Sequence, residues 1–253
     1  MTTRQATGPS VPLSLPRRPS KRSRAGQDRR SAGWGVPAAL ISLSAIPLAA
    51  GALRLVQLAG GPAVLPADDR FAGFPAALVV HILGAAVLAL LGALQLAPRF
   101  RHRHRTWHRR SGRVVAAAGL AVAGSALWLT LFYEPQPGTG NLLFVLRLMF
   151  APALAASLLL GVVAIRRGDI ASHRAWMMRT YAIGLGAGTQ VFTEGVAEAV
   201  IGTGELRLDL AKGTGWVINL AVAEWAIRRP ARQGRRRPGG TTGTRSDPVG
   251  APT

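Results

Sequence analysis

Apolar blocks of about twenty residues recur about six times between Val36 and Ile227, and charge collects between them. A helix rising 1.5 Å per residue needs about twenty residues to cross the roughly 30 Å of hydrocarbon in a bilayer. The blocks run from Val36 to Ala59, Pro75 to Ala97, Val114 to Tyr133, Leu142 to Ile165, Met178 to Ile201 and Gly213 to Ile227, the last being the shortest. A chain that is 49% hydrophobic, 17% charged and +20 in net charge can carry that charge only if it is segregated from the apolar blocks. The pattern predicts an all-α, polytopic integral membrane protein of about six transmembrane helices around a four-helix core, spans two to five.

The basic residues fix an orientation, because arginine and lysine in short connections stay on the cytoplasmic side. The first tail holds eight basic residues against Asp28, the connection from Pro98 to Arg113 seven arginines and no acid, the connection from Arg166 to Arg179 four arginines against Asp169, and the last tail seven against Asp247. The alternate connections carry Asp68, Asp69 and Arg70, then Glu134 alone, then Glu205, Arg207, Asp209 and Lys212, for net charges of −1, −1 and 0. This alternation predicts both termini in the cytoplasm. Residues 1–33 and 228–253 are basic and rich in small and turn-forming residues, and are expected to be disordered tails around a transmembrane domain over 34–227. Lysine occurs only as Lys21 and Lys212 while arginine, alanine and glycine abound, the coding bias of a GC-rich bacterium, so the expected location is a bacterial inner membrane.

Composition also narrows the chemistry. With no cysteine, thiolate metal sites and thiol redox chemistry are excluded. No serine elbow, phosphate-binding glycine loop or zinc-binding helix motif is present, and the segments between spans are too short for a catalytic domain. No catalytic residue is assigned, and the enzyme class left open is a membrane electron-transfer component. The arginine clusters adjoin spans, so their expected partners are the bilayer and its anionic headgroups, with no role for nucleic acid.

Two of the basic connections are alike. Arg99 to Arg113 reads RFRHRHRTWHRRSGR, and Arg166 to Arg179 reads RRGDIASHRAWMMR. Each places a His-Arg pair at the start of the next span (His108-Arg109, His173-Arg174), with a tryptophan nearby (Trp107, Trp176) and a further arginine beyond (Arg113, Arg179). The histidines are 65 residues apart, and a step of 66 from His81 reaches Arg147, which suggests a duplicated helical hairpin. Such an elbow is either an interfacial anchor or a site suited to a cofactor acid, a phosphate or a quinone headgroup.

These residues resemble a family of bacterial predicted membrane proteins, domain of unknown function 2306, through His81, Gly84 and Gln95, the run WHRRSGR from Trp107 to Arg113, and the run HRAWMMRTYA from His173 to Ala182. The likeness extends over residues 74–194, about half of the chain. It implies the four-span core and the choice of histidines, and it implies no chemistry.

Ionisable residues inside spans are costly and therefore candidates for function. His81, Arg147, Glu194 and Glu198 are expected at similar depth in the outer half, with Glu194 and Glu198 on one helix face and needing a partner; Glu224 lies near the inner end of span six. They form either a charge-neutralising brace or a proton-coupled site, and by residue type His81, Glu194 and Glu198 also suit a metal. Three readings follow. The first is a b-type haem on the cytoplasmic side, with His108 and His173 on the iron and Arg109, Arg113, Arg174, Trp176 and Arg179 around it; His81 lies roughly 24 Å of helix away and cannot share that iron. No other metal is expected. The second is a small proton-coupled permease using the outer cluster, with Gly184, Gly186, Gly188 and Gly195 allowing close packing or a helix break. The third is a non-catalytic component that binds lipid or a protein partner.

Overall fold

The computed structural model describes residues 35–66, 68–71, 75–97 and 103–229. The two tails, apart from Arg228 and Arg229, and the first arginines and His102 of the Pro98 to Arg113 connection lie outside the described residues. Among the described residues there are seven α-helices, one short 3-10 turn at Asp69–Phe71 and no strand. The helices are α1 (Gly35–Leu58), α2 (Ala76–Gln95), α3 (Arg105–Phe132), α4 (Asn141–Arg166), α5 (Ile170–Gly184), α6 (Gly186–Ile201) and α7 (Glu205–Arg228).

Four of them, α1 to α4, with 24, 20, 28 and 26 residues, are long and apolar enough to cross a membrane. Their surroundings agree with that. Large apolar side chains point outward along the bundle, Leu83 at 52% exposure, Phe132 at 67% and Met149 at 60%, the opposite of a water-facing surface. The chain is a membrane protein with several apolar helices.

The helices close into a ring. α2 packs on α3, α3 on α4, α4 on α5 and α5 back on α2, while α1 lies against α2 and α6, and α7 against α4, α5 and α6. Leu88, Leu154 and Leu158 fill the interior of the ring. Tyr181 closes it: its ring lies over Gly92, where a Cβ would fall 2.6 Å from Cε2, and its hydroxyl donates to the Ala89 carbonyl at 2.9 Å.

Four boundaries differ from the sequence expectation. The expected fifth span divides into α5 and α6 at Leu185, whose carbonyl receives Gly188 N–H at 3.0 Å in a tighter turn. Gly186 admits the Trp216 indole and Gly188 admits the Leu43 carbonyl of α1, so the break lets two neighbours approach. α3 begins at Arg105 and α5 at Ile170, so most of each basic elbow is helical, consistent with the good helix propensity of arginine. α7 begins at Glu205 rather than Gly213; its first two turns are polar in sequence, yet Asp209 and Lys212 are buried there.

Helices in hydrocarbon gain little from apolar contact alone, and close approach at small residues carries much of their association. At Gly188 a Cβ would lie 2.6 Å from the Leu43 backbone oxygen, which has no room to retreat. Gly188→Ala is expected to destabilise the folded protein in detergent by about 1–3 kcal/mol, whereas Gly195→Ala, with nothing within 4 Å, should be neutral or slightly stabilising. Thermal melts of the two variants beside the parent check this.

Candidate functional site

Polar side chains gather at two ends of the bundle. At one end lie the starts of α3 and α5. His108 is the fourth residue of α3, and its carbonyl accepts from Gln95 Nε2 at 3.1 Å. The same Gln95 amide donates to Ser111 Oγ at 2.7 Å, and Ser111 in turn donates to the Trp107 carbonyl, so the end of α2 is tied to the first turns of α3.

α5 starts by a different device. Gly168, with φ of 77°, turns the chain in a conformation that glycine adopts without strain, and Asp169 Oδ1 then accepts from Ser172 N at 2.9 Å. A hydrogen bond from the Ser172 side chain, and after it this backbone bond, hold the exposed Asp169 carboxyl below the ordinary carboxylate range. His173 is the fourth residue of α5, and its Nδ1 lies 2.8 Å from the Gly161 carbonyl of α4. A carbonyl only accepts, so Nδ1 carries the proton in that contact, which leaves Nε2 as the nitrogen that can offer a lone pair. In the ring order, α3 and α5 occupy opposite corners, and neighbouring axes 8–10 Å apart put such corners roughly 11–14 Å from each other. Arg109, Arg113 and Arg174 are exposed around this end.

Arg179 has a structural partner. It meets Glu224 of α7 in a two-point contact of 2.5 and 3.1 Å, and its guanidinium lies 4.6 Å from the Trp176 ring centroid. Arg228 adds a longer contact to Glu224 at 3.7 Å. This clamp binds α5 to α7 and engages two of the residues expected around a cofactor.

The other end holds the ionisable residues expected together, His81, Arg147, Glu194 and Glu198. His81 is half-buried, with Nδ1 3.1 Å from Ser125 Oγ of α3. Arg147 of α4 lies within electrostatic range of His81, Asp209 and Glu194. The brace itself is built differently from the expected one. Glu194 pairs with Lys212 Nζ at 2.7 Å, not with Arg147, and Glu198 is exposed.

Asp209, only 1% exposed, receives Gly140 N at 3.1 Å and Leu143 N at 3.0 Å. It thus satisfies the open N–H groups at the start of α4, which the helix cannot satisfy itself. Below it, Gln190 donates to the Lys212 carbonyl, Thr189 donates to Asn219 Oδ1 at 2.7 Å, and Asn219 donates to the Ala182 carbonyl at 3.2 Å. By composition Asp209 and Lys212 belong to a connection between spans; the structure puts them in a helix. The available signal was spacing: Asp209, Lys212, Trp216, Asn219 and Ala223 recur every three to four residues, which is one stripe of a helix.

Two clefts open beside this cluster. One of about 230 Å³ is lined by Arg147, Glu134, Asn141 and Glu205, and one of about 420 Å³ by Glu194, Glu198, Glu205 and Arg207. Among the described residues no group of three His, Asp or Glu side chains is placed to hold a metal ion, so His81, Glu194 and Glu198 do not form one.

Among families of known proteins, the one described as predicted membrane protein (DUF2306) matches residues 78–227. Neither the curated proteins nor the solved structures provide a match.

Proposed function

The chain belongs to the DUF2306 family of predicted membrane proteins, and from that premise we propose that it is a six-span electron-transfer component of a bacterial inner membrane, with both termini cytoplasmic and a b-type haem held by His108 and His173. The observation that carries this reading is the 2.8 Å contact from His173 Nδ1 to the Gly161 carbonyl. Histidines that ligate metals commonly donate their other N–H to a carbonyl or carboxylate, which fixes the ring and leaves the second nitrogen for the metal. His108 enters its helix at the same position as His173, the fourth residue, on the opposite corner of the ring. Arg109, Arg113 and Arg174 offer guanidinium groups to the acid groups of a cofactor. A bound haem would supply one-electron chemistry; the protein's part is to orient two imidazoles and to hold Nδ1 of His173 protonated.

The six-span topology rests on charge and length. α5 and α6 contain 15 and 16 residues, together roughly 46 Å of helix, enough for one crossing with a polar first turn at the interface. α7, with 24 residues, crosses as the sixth span. Because the chain has no cysteine, a single introduced thiol reports its own side. Thr203→Cys should react with a membrane-impermeant maleimide on intact spheroplasts and Ser172→Cys only after permeabilisation; the reverse pattern would sink the proposed orientation.

Purified protein from cells supplied with a haem precursor should show a Soret band and sharp α and β bands on reduction, both lost in the His108→Ala, His173→Ala double variant. A colourless wild type at full yield would remove the haem reading. The outer cluster carries a second reading, a small proton-coupled permease, favoured by the Lys212–Glu194 ion pair beside the larger cleft. On that reading Glu194→Gln abolishes solute-driven proton uptake into proteoliposomes while leaving any haem spectrum intact; unchanged uptake, or none in the parent, refutes it.

A further inference from the structure

Arg147 is the seventh residue of α4, half-buried in a helix otherwise apolar enough to cross a membrane. A guanidinium in that setting is expensive unless something answers its charge. The two acids nearest in electrostatic terms are already engaged: Asp209 by the N–H groups of Gly140 and Leu143, and Glu194 by Lys212. Among the described residues, no hydrogen bond or ion pair engages the Arg147 side chain.

Arg147 borders a cleft of about 230 Å³. At a liquid volume of about 30 Å³ per water, that is space for roughly eight water molecules, or one solute the size of a small amino acid. The other ionisable groups in its wall are Glu134, Glu205 and Tyr133. Glu134 and Glu205 are exposed, whereas Arg147 is half-buried. Gly140 leaves room for this arrangement, since a Cβ there would come within 3.1 Å of Asp209 Oδ2 and 3.5 Å of Glu205 Oε2. Arg70 lies nearby, held by Asp68 at 2.6 Å, and adds positive charge to the Arg147 surroundings.

The charges select a class of ligand. A simple anion would meet Arg147 but also the two carboxylates, and a simple cation would meet those carboxylates but also Arg147 and Arg70. We infer that the cleft binds a small zwitterion, with its acid group on the Arg147 guanidinium and its ammonium group toward Glu205 and Glu134. A planar fork of N–H donors suits a carboxylate or a phosphate equally. The same chemistry therefore has two sources, a free amino acid or the phosphoethanolamine headgroup of a lipid. The inference is independent of the haem reading. It concerns the smaller cleft rather than the larger one beside Glu194, and binding is measured without transport, so it and the permease reading fail separately.

The test uses full-length protein washed in a neutral detergent and titrated calorimetrically with alanine, glycerophosphoethanolamine, acetate and ethylamine. At least one zwitterion should bind, and acetate and ethylamine at the same concentrations should not. Arg147→Gln should weaken that binding by at least about tenfold, the usual consequence of losing a charged hydrogen bond, and Glu205→Gln should weaken it several-fold. Alanine binding points to a free amino acid; binding of glycerophosphoethanolamine alone points to the lipid headgroup. Should Arg147→Gln not fold, Arg147→Lys, which keeps the charge and loses the fork, and Glu205→Gln probe the same two contacts. Absence of zwitterion binding to the parent, equal binding of acetate, or unchanged binding in the folded Arg147 variant would overturn the inference.

Discussion

In water, apolar helices are driven together by what they hide. In hydrocarbon that drive is missing, because a lipid tail is as good a neighbour as another leucine, and association falls to close packing and to hydrogen bonds between helices. The bundle is organised by this constraint. Its ring is closed where Tyr181 lies over Gly92 and donates to the Ala89 carbonyl, and α1 is seated where Gly188 meets the Leu43 carbonyl. Its α7 is held both by polar contacts, through Asp209, Lys212, Asn219 and Glu224, and by the Trp216 ring stacked on Phe150. Each of those polar groups would be a liability in lipid, and each is matched by a partner on another helix.

The same constraint explains what was legible in the sequence. α1, α2 and α4 start and end within two residues of the apolar blocks, because a helix in hydrocarbon must be apolar along its length. The sequence also marks His81, Arg147 and Glu194 as ionisable residues in apolar blocks, and Arg147 lies within electrostatic range of the other two. Pairing was not legible. Glu194 takes Lys212, because Lys212 belongs to a helix whose first turns look, by composition, like a connection. Window composition counts charges; it does not see that Asp209 is matched by two N–H groups about seventy residues earlier in the chain. The break at Leu185 was foreshadowed by its glycines, but its position depends on Trp216 and Leu43, which only the tertiary arrangement supplies.

The two ends of the bundle use charge in opposite ways. Around His108 and His173 the arginines are mostly exposed, free to meet headgroups or an acidic ligand, and the one that turns inward, Arg179, is clamped by Glu224. At the other end Glu194 and Lys212 neutralise each other, while the Arg147 guanidinium and the exposed Glu134, Glu198 and Glu205 make no ion pair among the described residues. Thus the first end concentrates net positive charge at a surface, and the second distributes nearly neutral polarity into the bundle. The histidines are split in the same way: His173 is oriented by a backbone carbonyl, His81 by a serine hydroxyl.

The cap that Asp209 places on α4 has a consequence for how the protein is made. α4 leaves the ribosome well before α7, and at 5–20 residues per second the 66 residues separating Leu143 from Asp209 take roughly 3–13 s to synthesise. During that interval the first turn of α4 has open donors and no acid to receive them. The helix must wait with that end at the wet interface, or borrow water or lipid oxygens, until α7 is made. The start of α4 is therefore completed only once α7 is made: a nascent chain halted before Asp209 would hold α1 to α4 and still lack the residue that receives those donors.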